Sequence, residues 1–418
     1  MADSLVGELI TCHECDKLYR YEAIPAGSRA NCHHCGALLY RHIPNSLDRS
    51  LALYLSALIL FIIANVFPFL SLELGGRMVE NVLLSGAWNL YQQGMGELGL
   101  LIFFTSFTFP LFVILGMLYL LIPIRFGFVP PVMGPVYRVV KAITPWSLVG
   151  VFMLAVLIAI VKLQDLANVI TGPALISFSI LLFVYSSART NFDPGILWSV
   201  SGQSTGDLTS KLLASDSNII SCHTCGLLTT EHDAYSHCLR CTAPLHHRKP
   251  NSIESTWALL IAAAVLMIPA NVYPILTVIR FGQGAPDTIL SGILHLIEDG
   301  LWGLAMIIFI ASIVVPVTKL IVLSFLLLTV QYRSNWRSRD RTFLFRVTEV
   351  IGAWSMVDIF LVGLLSSLVS LDALSTIEPG IGATYFAGVV MFTMFAAHSF
   401  DSRLIWDNAQ KKEHEGQT

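Results

Sequence analysis

Eight stretches of this sequence, about 50–70, 98–122, 146–164, 172–188, 255–276, 302–330, 350–371 and 381–398, are apolar and nearly free of charge. A helix crossing a hydrocarbon core of about 30 Å needs roughly 20 such residues, so the chain is expected to pass through a membrane eight times. Only 13% of its 418 residues are charged, half of the roughly one quarter usual in soluble domains, and those charges are bunched between the apolar runs. A single soluble core and a disordered chain are both excluded by that pattern. With 25 basic against 28 acidic residues the net charge is −3, which draws in no nucleic acid.

All eight cysteines lie outside the apolar runs. Cys12, Cys15, Cys32 and Cys35 form one group, and Cys222, Cys225, Cys238 and Cys241 another. Each group reads C-x2-C, a spacer of 16 or 12 residues, and C-x2-C again. Two such turns can bring four thiolates into a tetrahedron, the geometry of a closed structural Zn²⁺ site. Gly36 and Gly226 follow one turn in each group, where the backbone must double back. Two Zn²⁺ ions, one per ribbon, are the expected cofactors. Disulfides would need an oxidising compartment for both groups, and iron or an iron–sulfur cluster suits the same thiolates. His13, His33, His34, His223 and His237 stand close enough to replace a cysteine ligand. Residues 1–10 show neither the basic n-region nor the apolar h-region of a secretory signal, so the first ribbon is expected to stay in the cytosol.

Lys and Arg in short loops mark the cytoplasmic side. Arg125, Arg138 and Lys141 lie between the second and third runs, and Arg333, Arg337, Arg339, Arg341 and Arg346 between the sixth and seventh. Arg41 and Arg49 precede the first run, and Arg248 and Lys249 the fifth. The opposite segments are poorer: 71–97 holds Arg77 against three glutamates, and 277–300 holds Arg280 against Asp287, Glu298 and Asp299. Both termini and both ribbons are therefore expected in the cytoplasm.

The sequence also repeats itself. Pro44-Asn45-Ser46 recurs as Pro250-Asn251-Ser252, and Ala64-Asn65-Val66-Phe67-Pro68 as Ala270-Asn271-Val272-Tyr273-Pro274, both at an offset of 206. Leu84-Ser85-Gly86 and Leu290-Ser291-Gly292 keep that offset, as do Pro110 and Pro316. Beyond the basic loops the offset becomes 208: Trp146-Ser147 matches Trp354-Ser355, Phe192-Asp193 matches Phe400-Asp401, and Trp198 matches Trp406. The expected fold is an all-α membrane protein of two tandem, parallel four-helix units, each preceded by a small ribbon of short β-strands. Its segments are a first ribbon (1–43), a first unit (44–198), a linker (199–218), a second ribbon (219–249), a second unit (250–407) and a polar tail (408–418). Between the first two spans of the second unit, Ile289, Ile293, Leu296 and Ile297 recur at helical spacing before Glu298, Asp299 and Gly300. That segment reads as an amphipathic helix lying at the outer interface.

Ionisable groups at membrane depth are costly and mark function or internal pairing. Lys162 and Asp165 stand three residues apart at the end of the third run, where they pair on one helix face or sit at the interface with Lys162 snorkelling outward. Lys319 follows Pro316 near the middle of the sixth run, and Asp358 lies one to two turns into the seventh. The repeat puts Val113 and Gly150 at the equivalent places, so duplication alone does not call for these charges. Ser312 lies seven residues before Lys319 on the same face, Ser355 three before Asp358, and Thr393 midway along the eighth run. Two readings of this polar track stand: a proton-responsive element, and a structural ion pair between helices. Asn65 with Pro68, and Asn271 with Pro274, read as kinks near the outer ends of their spans. No Walker motif, nucleophile elbow, H-E-x-x-H or dinucleotide fingerprint is present, so the chain is not expected to be an enzyme.

The two four-cysteine ribbons, the two four-span units, the repeated P-N-S and A-N-V-F/Y-P segments, and the W-S pair opening the third span of each unit resemble the paraquat-inducible protein A family. That family includes the LetA-type inner-membrane proteins of Gram-negative bacteria, and the resemblance covers nearly the whole chain. It implies a bacterial inner-membrane location, tetraspanin-like units, zinc in both ribbons, and phospholipid traffic beside an MCE-domain protein that forms a hydrophobic tunnel across the periplasm. It also implies that Lys162 and Asp165 in the first unit, and Ser312, Lys319, Ser355, Asp358 and Thr393 in the second, are the working polar positions. The expected function is loading or unloading lipid at the tunnel, coupled to the proton gradient through Lys319 and Asp358. A passive anchor for the tunnel protein and a metal or redox sensor are the competing readings.

Overall fold

Inside lipid a chain satisfies its backbone most readily as a helix, and the apolar runs fold that way. The computed structural model describes residues 9–74, 77–82, 84–164, 168–200, 219–230, 237–280, 283–334, 336–368, 370–371 and 375–407. Among them are eight helical segments long and apolar enough to span a bilayer, and the chain is a multi-pass membrane protein. The first half carries α1 (Ser46–Val66), the short α2 (Ser85–Gln92), α3 (Gly96–Arg125), α4 (Met133–Ile143), α5 (Val149–Gln164), α6 (Pro173–Asn191) and α7 (Gly195–Val200). The second carries α8 (Ser252–Val272), the short α9 (Ile289–Glu298), α10 (Trp302–Gln331), α11 (Ser338–Gly352), α12 (Val357–Leu368) and α13 (Ile381–Ser399). Tight 3-10 turns at Thr144–Trp146 and Ala353–Met356 join α4 to α5 and α11 to α12. Arg138, Lys141 and Arg346, read from the sequence as loop residues, therefore ride on helices.

Proline shapes two of the spans. Pro110 and Pro316 have no N–H for the carbonyls of Ser106 and Ser312 four residues back, and each helix widens into a π-helical turn there, at Phe104–Thr108 and Ile310–Val314. Asn65 Nδ2 and Asn271 Nδ2 donate to the carbonyls of Phe61 and Met267, at 2.7 and 2.8 Å, where α1 and α8 end. The Asn–Pro segments stop these helices at Val66 and Val272.

The strands, in chain order, are β1 (Leu9–Thr11), β2 (Leu18–Arg20), β3 (Arg29–Asn31), β4 (Leu38–Arg41), β5 (Leu70–Leu74), β6 (Arg77–Asn81), β7 (Asn168–Thr171), β8 (Ile219–Ser221), β9 (Leu228–Thr230), β10 (Leu276–Arg280), β11 (Gln283–Asp287), β12 (Ser370–Leu371) and β13 (Ser375–Pro379). Those in the ribbons pair as β1-β2, β3-β4 and β8-β9. The others build two antiparallel sheets, ordered β6-β5-β7 and β11-β10-β13-β12, at the end of the helices away from the ribbons. The all-α expectation left these sheets out. Leu70 pairs with both Asn81 and Thr171, and Leu276 with both Asp287 and Pro379. Gly172 and Gly380 close each sheet onto the next helix. Their N–H groups bond the carbonyls of Phe69 and Ile275, at 3.2 and 2.7 Å, and a Cβ at either would collide with the carbonyl of Pro68 or Pro274.

The repeated P-N-S and F-D segments meet in space. Ser46 Oγ donates to the carbonyl of Asn191 at 2.6 Å and accepts from the N–H of Asp193 at 3.1 Å. Ser252 Oγ does the same with Ser399, at 2.9 Å, and Asp401, at 3.0 Å. Each clamp ties the start of a first span to the end of a fourth, and α1 packs on α6 as α8 packs on α13. The two sets of four spans share a core. They meet where α12 packs on α5 and α2, with the rings of Phe152 and Phe360 at 5.3 Å and those of Trp146 and Phe395 at 4.8 Å.

Candidate functional site

Each ribbon is organised by its Cys-x2-Cys turns. The N–H of Cys12 bonds the carbonyl of Lys17 at 3.0 Å and the N–H of Asp16 bonds the carbonyl of Cys12 at 2.9 Å. Cys32, Cys222 and Cys238 repeat the first of these bonds, with Ala37, Leu227 and Ala243. The residue after the second cysteine of every turn is left-handed: Asp16, Gly36, Gly226 and Thr242, at φ of 55°, 75°, 75° and 55°. The sequence signalled the two glycines and concealed Asp16 and Thr242. These turns aim four sulfurs at one point, all within 4.8 Å of one another in each group. Cys12–Cys35 and Cys15–Cys32 stand at 3.4 and 3.6 Å, and Cys222–Cys241 and Cys225–Cys238 at 3.5 and 3.4 Å. Bonds of about 2.3 Å from a tetrahedral metal put sulfurs about 3.8 Å apart, against about 2.05 Å in a disulfide. The two groups thus fit a metal ion each. Elemental analysis of the purified protein should find two metal equivalents per chain, and about one after Cys35→Ser. An unchanged content in that variant rules out the four-sulfur site.

The ribbons are exchanged between the two sets of spans. Arg346 on α11 donates from Nη2 to the carbonyl of Cys35 at 3.0 Å and pairs with Glu14 at 3.2 Å, and the rings of His34 and Trp406 lie 4.2 Å apart. The first ribbon therefore sits on the last four spans. Lys141 Nζ on α4 donates to the carbonyls of Thr224 and His223, at 2.6 and 3.1 Å, and Arg138 Nη1 to that of Thr242 at 2.8 Å, so the second ribbon sits on the first four. Between them is a charged cluster. Arg248 bridges Asp16 and Asp407, and Arg403 reaches Asp16, Asp401 and His223. Burial alone would raise the Asp401 carboxyl. Arg403 Nε and Nη2, each at 3.0 Å, and the N–H groups of Lys249 and Arg403 instead hold it down to about 2. Burial, then the Arg403 guanidinium, lowers the His223 imidazole to about 4.

Ser312, Lys319, Ser355, Asp358 and Thr393 are all buried among the helices of the last four spans. Lys319 Nζ donates to Thr393 Oγ1 at 3.0 Å, and Thr393 Oγ1 in turn donates to the carbonyl of Val390 at 2.9 Å. Lys319 lines a small pocket with Pro145, Trp146, Glu349, Gly352 and His398; Glu349 and His398 are exposed at its mouth. Asp358 and Ser312 line a different small pocket, toward the sheets, walled by Ile289, Ile293, Leu296 and Leu361 with Asp287 and Thr288 at one side. The amphipathic α9, started by a reciprocal Thr288–Ser291 cap, closes that pocket. Ser312 Oγ donates to the carbonyl of Ile308 at 2.6 Å inside the π-helical turn, and Ser355 Oγ is buried without a hydrogen-bond partner among the described residues. The first four spans solve the same position differently: Tyr185 Oη donates to Ser147 Oγ at 2.9 Å. The 208-residue offset could have revealed Tyr185 opposite Thr393. Lys162 lies on α5, and its side chain and Asp165 fall outside the described residues.

The sequence comparisons then decide the lineage. A family model described as paraquat-inducible protein A matches residues 47–201 and again 253–410. The chain belongs to the paraquat-inducible protein A family. It is similar to lipophilic envelope-spanning tunnel protein A of Escherichia coli K12, at 31% identity over 403 residues, covering 96% of this chain and 92% of that one. Intermembrane transport protein PqiA of the same strain is 29% identical over 413 residues, 97% of each chain. A probable intermembrane transport protein of Haemophilus influenzae Rd is 27% identical over 406 residues, 96% of each. No solved structure matches the chain. The two matched stretches begin at the first turns of α1 and α8, and both leave the ribbon preceding them outside.

Proposed function

We propose that this chain is the inner-membrane subunit of an intermembrane phospholipid transport system, passing lipid to or from a periplasmic MCE-type tunnel. Its two four-helix units are tandem copies running in the same direction, with both ribbons and both termini in the cytoplasm and a Zn²⁺ ion in each ribbon. The naming of its relatives as tunnel and intermembrane transport proteins supports the transport class. The observation that carries the mechanism is Lys319, a cation at 2% exposure within predominantly apolar helices. One pocket borders it on the ribbon side, and the pocket of Asp358 lies on the sheet side. A proton taken up near Asp358 and released near Lys319 would couple the gradient to movement of α10, α12 and α13 against one another. Four thiolates with no open position suit Zn²⁺ held for structure, which argues against a redox sensor.

Purification from bacterial inner membranes tests this reading. A tunnel-forming MCE partner and phospholipid are expected to accompany the protein, identified by mass spectrometry. A protein recovered with neither sinks the transport reading.

A further inference from the structure

Chain order would seat each ribbon on the spans that follow it alone; instead the first ribbon sits on the last four spans, and the second, besides its ties to Arg403 and Asp407, is held by α4 of the first four. On α11, Arg339, Thr342 and Arg346 recur at steps of three and four, so they share a face. The Arg339 guanidinium lies beside Gly36. Thr342 Oγ1 accepts from Trp406 Nε1 at 2.9 Å, and that indole rests against His34. Arg346 holds the carbonyl of Cys35 and the carboxylate of Glu14. His34, Cys35 and Gly36 are consecutive and form one metal-binding turn, so α11 grips the ribbon at the turn that the metal shapes. The next residues of the same helix, Thr348, Glu349 and Gly352, wall the pocket of Lys319. Gly352 leaves the room that Lys319 Nζ fills, since a Cβ there would stand 2.9 Å from that nitrogen. On the other side, Arg138 and Lys141 on α4 hold the backbone of the second ribbon at His223, Thr224 and Thr242, each beside a cysteine.

We propose that each ribbon's metal is a clamp on the opposite set of spans, the first ribbon fixing α11 and with it the wall of the Lys319 pocket, the second fixing α4. Loss of metal from the first ribbon frees its Cys35 turn and releases Arg346. α11 then loses its hold near Glu349 and Gly352, although Arg346 and Cys35 stand 311 positions apart in the chain. This rests on metal in the ribbons and does not depend on what the protein transports.

Hydrogen–deuterium exchange on the full chain in nanodiscs, with metal content measured on the same samples, tests it. Cys35→Ser is expected to retain about one metal and to exchange at least about tenfold faster over 338–352, with 133–143 unchanged. Cys238→Ser should do the reverse. Arg346→Ala keeps every metal ligand, and should retain two metal equivalents while 338–352 still exchanges faster. If Cys35→Ser does not accumulate in the membrane, Arg346→Ala decides alone. Faster exchange of 133–143 in Cys35→Ser, or wild-type protection of 338–352 in Arg346→Ala, overturns the clamp.

Discussion

Lys319→Ala should reduce lipid transfer by about a hundredfold or more while leaving the protein folded in the membrane. Removing a group that gives and takes a proton at a rate-limiting step typically costs between about 10² and 10⁴. Lys319 is the buried cation of this bundle that bonds Thr393 and reaches the ribbon-side pocket. Asp358→Asn should match it, because the amide keeps the carboxylate's shape and cannot take up the proton. Thr393→Val should cost less, since the ammonium remains and only its 3.0 Å acceptor is lost. The measurement is lipid transfer between inner- and outer-membrane vesicles, with melting temperature followed in parallel. Wild-type transfer by folded Lys319→Ala and Asp358→Asn would leave a passive anchor as the surviving role.

Asp401→Asn should destabilise the protein by about 3–5 kcal/mol at neutral pH, the usual cost of removing one partner of a buried ion pair. Asp401 and Arg403 are 3% and 4% exposed, and Asp401 accepts from two backbone N–H groups as well as from the guanidinium. Its folded value of about 2 lies below the unfolded value of about 3.9. The stabilisation is therefore complete above about pH 4 and disappears as the pH falls through 2. The shift corresponds to about 2–3 kcal/mol, so the gap between wild type and Asp401→Asn should narrow over that window. Thermal unfolding in detergent between pH 7 and 2 measures it, and a constant gap would remove the carboxylate from the account.

The spans were legible because length and hydropathy act locally, and the cysteine turns because their spacing is short. The sheets were harder. Leu70, Leu72 and Leu74 alternate with Ser71 and Glu73 as a half-buried strand does, but the third strand, Asn168–Thr171, arrives from the far end of the third span. The short connection between the third and fourth spans therefore concealed a strand. Lys319 and Asp358 stood out as charges inside apolar runs. Their separation into two pockets depends on α9 and on Trp146, residues from other parts of the chain. The exchange of ribbons had no local signature, because Arg346 looks like one more basic loop residue until Glu14 and Cys35 are seen beside it.

That exchange also orders the birth of the molecule. The Cys35–Arg346 contact joins residues 311 positions apart, so at about 5–20 residues per second the finished first ribbon waits about 15–60 s for its seat to be synthesised. Meanwhile the second ribbon emerges with α4 already made and can dock at once. The first element to fold is thus the last to find its place, and a chain truncated before Ser338 would leave a complete ribbon with nowhere to sit.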